Sequence, residues 1–297
     1  MTNMRKLPEF ADLQPFTIEG LKRRQTNIGK IIIKGEIAST QRSSSYYMEY
    51  PSGGLTITGV IGIPHTSLLN PVVILNHGYV PPANYKSGEK TAGISEHLTN
   101  NGYITISPDF RGWGGSDFGD NFFRAGLVLD TLNLIDLIPS IETADPTRIG
   151  IWGHSMGAGT AVKSLVIDSR IKACVLYAPL SINDKDIFSR WGYVDVEMEK
   201  RNDELLTIYK KALENLDFLA LTSPNQYLEL VSAAVQIHTG LKDNVAPPEW
   251  ADEIYKTLKL HNKEVEIFKY PDQGHYFSDS DLITMFSRSK VFFDHHV

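Results

Sequence analysis

The chain has 297 residues and a formal net charge of −6, long enough for one large α/β domain or two small ones and too acidic to point to a nucleic-acid partner. Hydrophobic content of 42% and charged content of 22% are those of a globular protein with a sizeable core. A single cysteine, Cys174, excludes an intramolecular disulfide, and the nine histidines show no metal-ligand spacing, so no metal or cofactor is implied.

The N-terminal residues Met1 to Pro8 lack an apolar signal region, and no stretch approaches the length of a transmembrane span. No membrane association is expected. The chain reads as cytoplasmic, as would a secreted chain whose signal peptide had been removed. Residues 1–26 are weakly patterned and are expected to pack as a strap or short helix. From Lys30 to Ala38 and from Tyr46 to Ile63, β-branched and aromatic residues alternate with polar ones. Pro51-Ser52-Gly53-Gly54 marks a turn, so these are expected to be antiparallel edge strands.

Pro71 to Asn76 is a continuous apolar run, the signature of a strand buried on both faces, and it ends at His77-Gly78-Tyr79. A helix over about 89–101 and a strand from Tyr103 to Ser107 follow. Pro108-Asp109-Phe110-Arg111-Gly112-Trp113-Gly114-Gly115-Ser116-Asp117 is too rich in glycine for a regular element, and Asp109 and Arg111 are expected to tie that loop down. Residues 121–138 form a long buried helix, and Asp145-Pro146-Thr147 turns the chain into a strand from Arg148 to Trp152.

That strand runs into Gly153-His154-Ser155-Met156-Gly157, a G-x-S-x-G sequence, and then into a small-residue helical pattern carrying Ala158, Ala161, Val162, Leu165 and Val166. Strand, tight turn and helix together make a nucleophile elbow, which exposes the serine hydroxyl above the sheet beside the helix N-terminus. His154 is expected to pack beside the sheet. Cys174 lies in the next strand, Lys172 to Ala178, and reads as a buried thiol.

The strand–helix rhythm, which points to a parallel doubly wound sheet, breaks at residues 181–232. This stretch is charged, aromatic and largely helical, with a periodic part around Glu204–Leu221. It reads as a cap inserted into a single domain spanning 1–297. Its Trp191, Tyr193 and Met198 are large apolar side chains in a charged context and are candidates for lining a substrate pocket, or for anchoring the cap. The sheet resumes from Ala233 to Thr239 and ends at Gly240-Leu241-Lys242-Asp243. Pro247-Pro248 opens a helix, Val265 to Tyr270 is a last strand followed by Gly274-His275, and a closing helix begins near 281.

Ser155, Asp243 and His275 thus fall just beyond the C-terminal ends of three parallel strands, the edge where open α/β sheets gather ligands. A serine hydroxyl is a weak nucleophile at neutral pH. His275 is placed to take its proton, and Asp243 to orient the imidazole and stabilise its charged form. Asp217 and Asp272 are the competing carboxylates. The oxyanion of a tetrahedral intermediate needs donors, for which the backbone N–H groups of Met156 and Tyr79 are the candidates.

These segments resemble the α/β-hydrolase superfamily, in particular its prolyl-oligopeptidase-like and dienelactone-hydrolase-like serine hydrolases. The matching stretches are Asn76 to Tyr79, Pro108 to Gly114, Trp152 to Gly157, His238 to Pro247 and Tyr270 to His275, and the order Ser, Asp, His is that of the superfamily. The resemblance implies an α/β fold with a mostly parallel doubly wound sheet, antiparallel N-terminal strands and a helical cap. It also implies a cofactor-independent serine hydrolase. In prolyl oligopeptidases a tyrosine just before the loop glycine helps hold the oxyanion, and a β-propeller precedes the hydrolase domain. Here the corresponding residue is His77 and the chain has no length for a propeller, which favours a carboxylesterase acting on a small-molecule ester. A serine peptidase of short peptides and a non-catalytic ligand-binding member are the alternatives. Oligomeric state is left open.

Overall fold

The computed structural model describes residues 7–191 and 204–297. Two hairpin-linked strands and a preceding edge strand form at the alternating N-terminal segments: β1 (Ile32–Ser39), β2 (Ser43–Ser52) and β3 (Leu55–Pro64). The apolar runs that follow become β4 (Asn70–Asn76), β5 (Ile104–Pro108), β6 (Ala144–His154), β7 (Ile171–Tyr177), β8 (Ala234–Gly240) and β9 (Val265–Tyr270). All nine pair into one sheet in the order β1-β2-β3-β5-β4-β6-β7-β8-β9. Pairing is antiparallel from β1 through β3 to β5 and parallel from β5 to β9, as the sequence suggests.

The helices are α1 (Ile18–Lys22), α2 (Ala92–Thr99), α3 (Ala125–Leu137), α4 (Met156–Leu165), α5 (Asp184–Trp191), α6 (Glu204–Leu213), α7 (Leu216–Thr222), α8 (Pro248–Leu260) and α9 (Asp279–His296). Strand alternation distributes the central strands between two cores. Val72 and Ile74 of β4 join α3, α4 and α8 on one face, and Val73 and Leu75 join α2 and α9 on the other. All four are fully buried, each burial worth about 1.5–3 kcal/mol, so β4 is fixed in register from both sides. No helix among the described residues is long and apolar enough to cross a membrane.

Between β7 and β8, helices α6 and α7 cover an aromatic cluster shared with the N-terminal segment Pro8–Phe16. Phe218 meets Phe10 at 5.0 Å and Phe123 at 5.5 Å between ring centroids, and Tyr209 meets Phe123 at 4.7 Å. The N-terminal strap expected from the sequence is therefore tied to this segment. A buried polar hub lies next to it. Asp184, at the start of α5, accepts from Arg124 at 2.6 Å, from Lys163 of α4 at 2.8 Å and from Thr222 of α7 at 2.7 Å. Lys163 also donates to the carbonyl of Phe123 at 2.8 Å.

Candidate active site

The elbow is dictated by space. Ser155 sits at φ 53°, ψ −116°, between the end of β6 and the first turn of α4. A Cβ at Gly153 would lie 2.5 Å from the carbonyl oxygen of Gly157, and one at Gly157 would lie 2.1 Å from that of Asn76. Only glycine fits at either place. The strained turn is held by the Ser155 N–H donating to the Tyr177 carbonyl at 2.9 Å, so β7 supports a serine it does not carry. As the first residue of α4, Met156 has an N–H with no intrahelical partner, at the positive end of the helix.

Three of the residues singled out by the sequence come together. His275 Nε2 lies 2.9 Å from Ser155 Oγ, and His275 Nδ1 lies 2.8 Å from Asp243 Oδ2. The Asp243 side chain is fully buried, and its other oxygen accepts the backbone N–H groups of Val245 at 2.8 Å and Ala246 at 2.9 Å. The carboxylate is satisfied on both oxygens and faces the imidazole in one orientation. The competing carboxylates are elsewhere. Asp272 is 83% exposed and paired with Lys242 at 2.8 Å, and Asp217 is exposed in the first turn of α7. In this arrangement an imidazole can take the serine proton as the oxygen attacks an electrophilic carbon, and return it to a leaving group.

The loop after β4 reaches the same place. A Cβ on Gly78 would lie 2.7 Å from His154 Nδ1 and 3.3 Å from Ser155 Cβ, which brings the Gly78–Tyr79 backbone beside the serine. His77 itself points inward. It is buried, with Nδ1 2.7 Å from the Gly78 carbonyl and Nε2 3.1 Å from the Asp109 carbonyl. Its ring nitrogens are engaged with backbone oxygens. Burial lowers its pKa.

His154 packs beside the sheet as expected, and more: Nε2 donates to the His275 carbonyl at 3.1 Å, and the ring contacts those of Tyr177, His275 and Tyr276 at 4.4–4.9 Å. Burial, with the neighbouring His275 ring, pushes its pKa down to about 3, so the ring stays neutral. Asp109 and Arg111 tie down their loop. Asp109 accepts from the hydroxyls of Tyr85, Ser87 and Thr58 at 2.6–2.9 Å, and Arg111 forms a two-point pair with buried Asp130 at 2.8–3.1 Å.

Trp191 lies at the end of α5 in an apolar cluster with Met156, Leu180, Ile187 and Trp250, and meets Trp250 edge-on at 5.6 Å. Tyr193 and Met198 lie outside the described residues. Sequence reasoning missed Arg190, whose guanidinium donates to the carbonyls of Asn244 and Val245 beside Asp243. It also missed the Lys163–Asp184 pair. Neither carries a local pattern, because the partners lie 55 and 21 residues away.

Residues 93–297 match the model of the prolyl oligopeptidase family. A 31.7 kDa protein of the traX-finO intergenic region of Escherichia coli is 24% identical over 266 residues, covering 76% of this chain and 89% of that one. Among solved structures, an acetyl xylan esterase from Paenibacillus sp. R4 matches with a TM-score of 0.66 at 16% identity, covering 99% of this chain and 100% of that one. Dipeptidyl peptidase 4 of Porphyromonas gingivalis matches with a TM-score of 0.66 at 18% identity, covering 86% of this chain but 36% of that one. At these identities the two structures speak for the fold, which is the α/β-hydrolase fold. Since the family model spans the elbow serine, the aspartate after β8 and the histidine after β9, the chain belongs to the prolyl oligopeptidase family of α/β-hydrolases.

Proposed function

We propose that the protein is a serine carboxylesterase acting on small-molecule esters through an acyl-enzyme on Ser155. The observation that carries this reading is the hydrogen-bonded line Ser155–His275–Asp243, set at a strained elbow and satisfied at every polar atom. Ser155 Oγ attacks the ester carbonyl while His275 Nε2 takes its proton. Asp243 holds the Nδ1–H tautomer and stabilises the imidazolium. The backbone N–H groups of Met156 and Tyr79 receive the oxyanion. His275 then protonates the departing alkoxide, and a water deprotonated by the same ring hydrolyses the acyl-enzyme.

Two features favour an ester over an amide. An amine leaves far less readily than an alkoxide, so peptidases spend additional donors on the oxyanion and on the extended peptide backbone. Here the side chain at the loop position is His77, whose nitrogens face the Gly78 and Asp109 carbonyls rather than the serine. The likeness to an acetyl xylan esterase over the full length of both chains supports the same direction. Membership of the prolyl oligopeptidase family supports a peptidase of short peptides as the second reading. Residues 181–232 act in this proposal as a cap, with Trp191 contributing to substrate choice.

Fluorophosphonate labelling and paired substrates test both readings. Wild type is expected to label and to cleave p-nitrophenyl acetate, p-nitrophenyl butyrate and methyl ferulate. Ser155→Ala is expected to do neither, with kcat lower by about a million-fold. An alanyl or prolyl p-nitroanilide cleaved with a kcat/KM within about tenfold of the best ester would transfer the assignment to the peptidase, since roughly 1.4 kcal/mol is too little to separate the two classes.

A further inference from the structure

The hydrogen bonds that hold Asp243 lead out of the reaction centre to one cation. Oδ1 of Asp243 accepts the N–H groups of Val245 and Ala246. A peptide unit is planar and rigid, with its N–H and its C=O on opposite edges. The N–H of Val245 belongs to the same unit as the C=O of Asn244, and the N–H of Ala246 to the same unit as the C=O of Val245. Those two carbonyls are the acceptors of a single guanidinium: Arg190 Nη2 donates to Asn244 and Nε donates to Val245 at 2.8 Å. Each of two consecutive peptide units therefore has the arginine on one edge and the carboxylate on the other.

We propose that Arg190 is a positioning residue for Asp243, acting through these two peptide units, an inference that rests on the esterase reading of the site. The fork of the guanidinium fixes two planes at once, and with them the direction in which Oδ2 meets His275 Nδ1. A lysine would supply the charge without the two-point geometry. Arg190 is exposed to solvent but lies against two indoles. Its guanidinium carbon lies 5.8 Å from the Trp191 ring centroid and 5.7 Å from that of Trp250, within cation–π range of both.

Helix α5, eight residues long, is anchored at its other end by Asp184, which is paired with Lys163 of α4. The helix thus spans from the element that follows the nucleophile to the turn that bears the acid. A change in the position of α5 is felt at Asp243 by way of Arg190, which couples the segment between β7 and β8 to the reaction centre.

A double-mutant cycle tests this. Arg190→Gln and Arg190→Lys are each expected to lower kcat for p-nitrophenyl butyrate by about 10- to 100-fold, with KM within about threefold of wild type. In an Asp243→Asn background, Arg190→Gln is expected to cost less than about threefold, because the group through which it acts is gone. A merely structural arginine would give equal losses in both backgrounds and leave Arg190→Lys active. Equal losses, a loss confined to KM, or kcat within about twofold of wild type in Arg190→Gln would each overturn the proposal. The downfield Nδ1 proton resonance of His275 requires no substrate. It is expected to shift upfield in Arg190→Gln, and an unchanged resonance would count against Arg190. Should wild type neither label nor turn over an ester, the esterase reading fails while this resonance still judges the arginine.

Discussion

Asp243 and Asp272 both precede His275 in the chain, and their surroundings separate them. The Asp243 side chain has no exposed surface and spends both oxygens on His275 and its own turn, whereas Asp272 projects into solvent beside Lys242. Asp243→Asn is expected to lower kcat by about ten-thousand-fold, because the amide stabilises neither the needed tautomer nor the imidazolium. Asp272→Asn, which breaks only an exposed pair, is expected to stay within about twofold of wild type. Steady-state kinetics on the two variants, normalised to correctly folded protein by circular dichroism, decides the matter, and the reverse order would unseat Asp243. The serine, the histidine and this aspartate were legible because each follows a strand whose apolar run is visible in the sequence. His154 was legible only as a packed ring. Its bond to the His275 carbonyl depends on the spacing of β6 from the loop after β9, which no local pattern encodes.

At the scale of elements, short-range signals and long-range partners part company. The last strand, Val265–Tyr270, coincides residue for residue with the span its sequence marks, since turn residues bound it on both sides. The helix expected over 121–138 instead starts at Ala125, after two non-glycine residues, Phe123 and Arg124, at φ 53° and 61°. Their neighbours in sequence do not ask for left-handed backbone. It is held by the Lys163 bond to the Phe123 carbonyl and the Arg124 pair with Asp184. The periodic stretch around Glu204–Leu221 proves to be two helices, broken where Asn215 caps α7 by accepting from the Phe218 N–H at 2.9 Å. That asparagine was the available signal. The hub also sets a stability expectation. Asp184→Asn leaves Lys163 and Arg124 buried or half-buried without their shared anion and is expected to cost about 3–5 kcal/mol. Lys163→Met should cost less, because Asp184 keeps Arg124 and Thr222. Urea unfolding midpoints at constant m-value measure both, and equal losses would show that the carboxylate is not the centre of the hub.

For the whole molecule, acid is expected to act in part through two buried imidazoles, His154 and His238, which lie level with each other on either side of Tyr177 in β7. Burial, aided by the His275 ring at His154 and by Arg288 at His238, lowers both pKa values from 6.5 to about 3. Between those values the unfolded chain holds protons that the native state does not, so stability falls as pH drops from about 6.5 towards about 3. Each ring contributes a slope of about 1.4 kcal/mol per pH unit inside that window. The His238 ring bonds Gln236 and the Tyr270 hydroxyl, so His238→Gln changes no residue of the elbow or of the Ser155–His275–Asp243 line. Urea titrations between about pH 4 and about pH 6 are expected to show the slope of this variant reduced by that one ring's share, and an unchanged slope would place the acid sensitivity elsewhere.

The order of the sheet also bears on when the proposed site is completed as the chain is made. From β6 outward to β9 the strands are added in the order of the chain, so the sheet grows at one edge as residues leave the ribosome. The serine is made first, after a central strand, while His275 follows the outermost strand and rests on a loop footed by Phe277 against Tyr177 of β7 and Tyr270 of β9. On the proposed mechanism, a nascent chain ending before this loop lacks His275, the proposed base for Ser155. On that mechanism the catalytic set is therefore completed only once His275 is in place, after the strand that leads to the serine and the strand that leads to Asp243 have both been made.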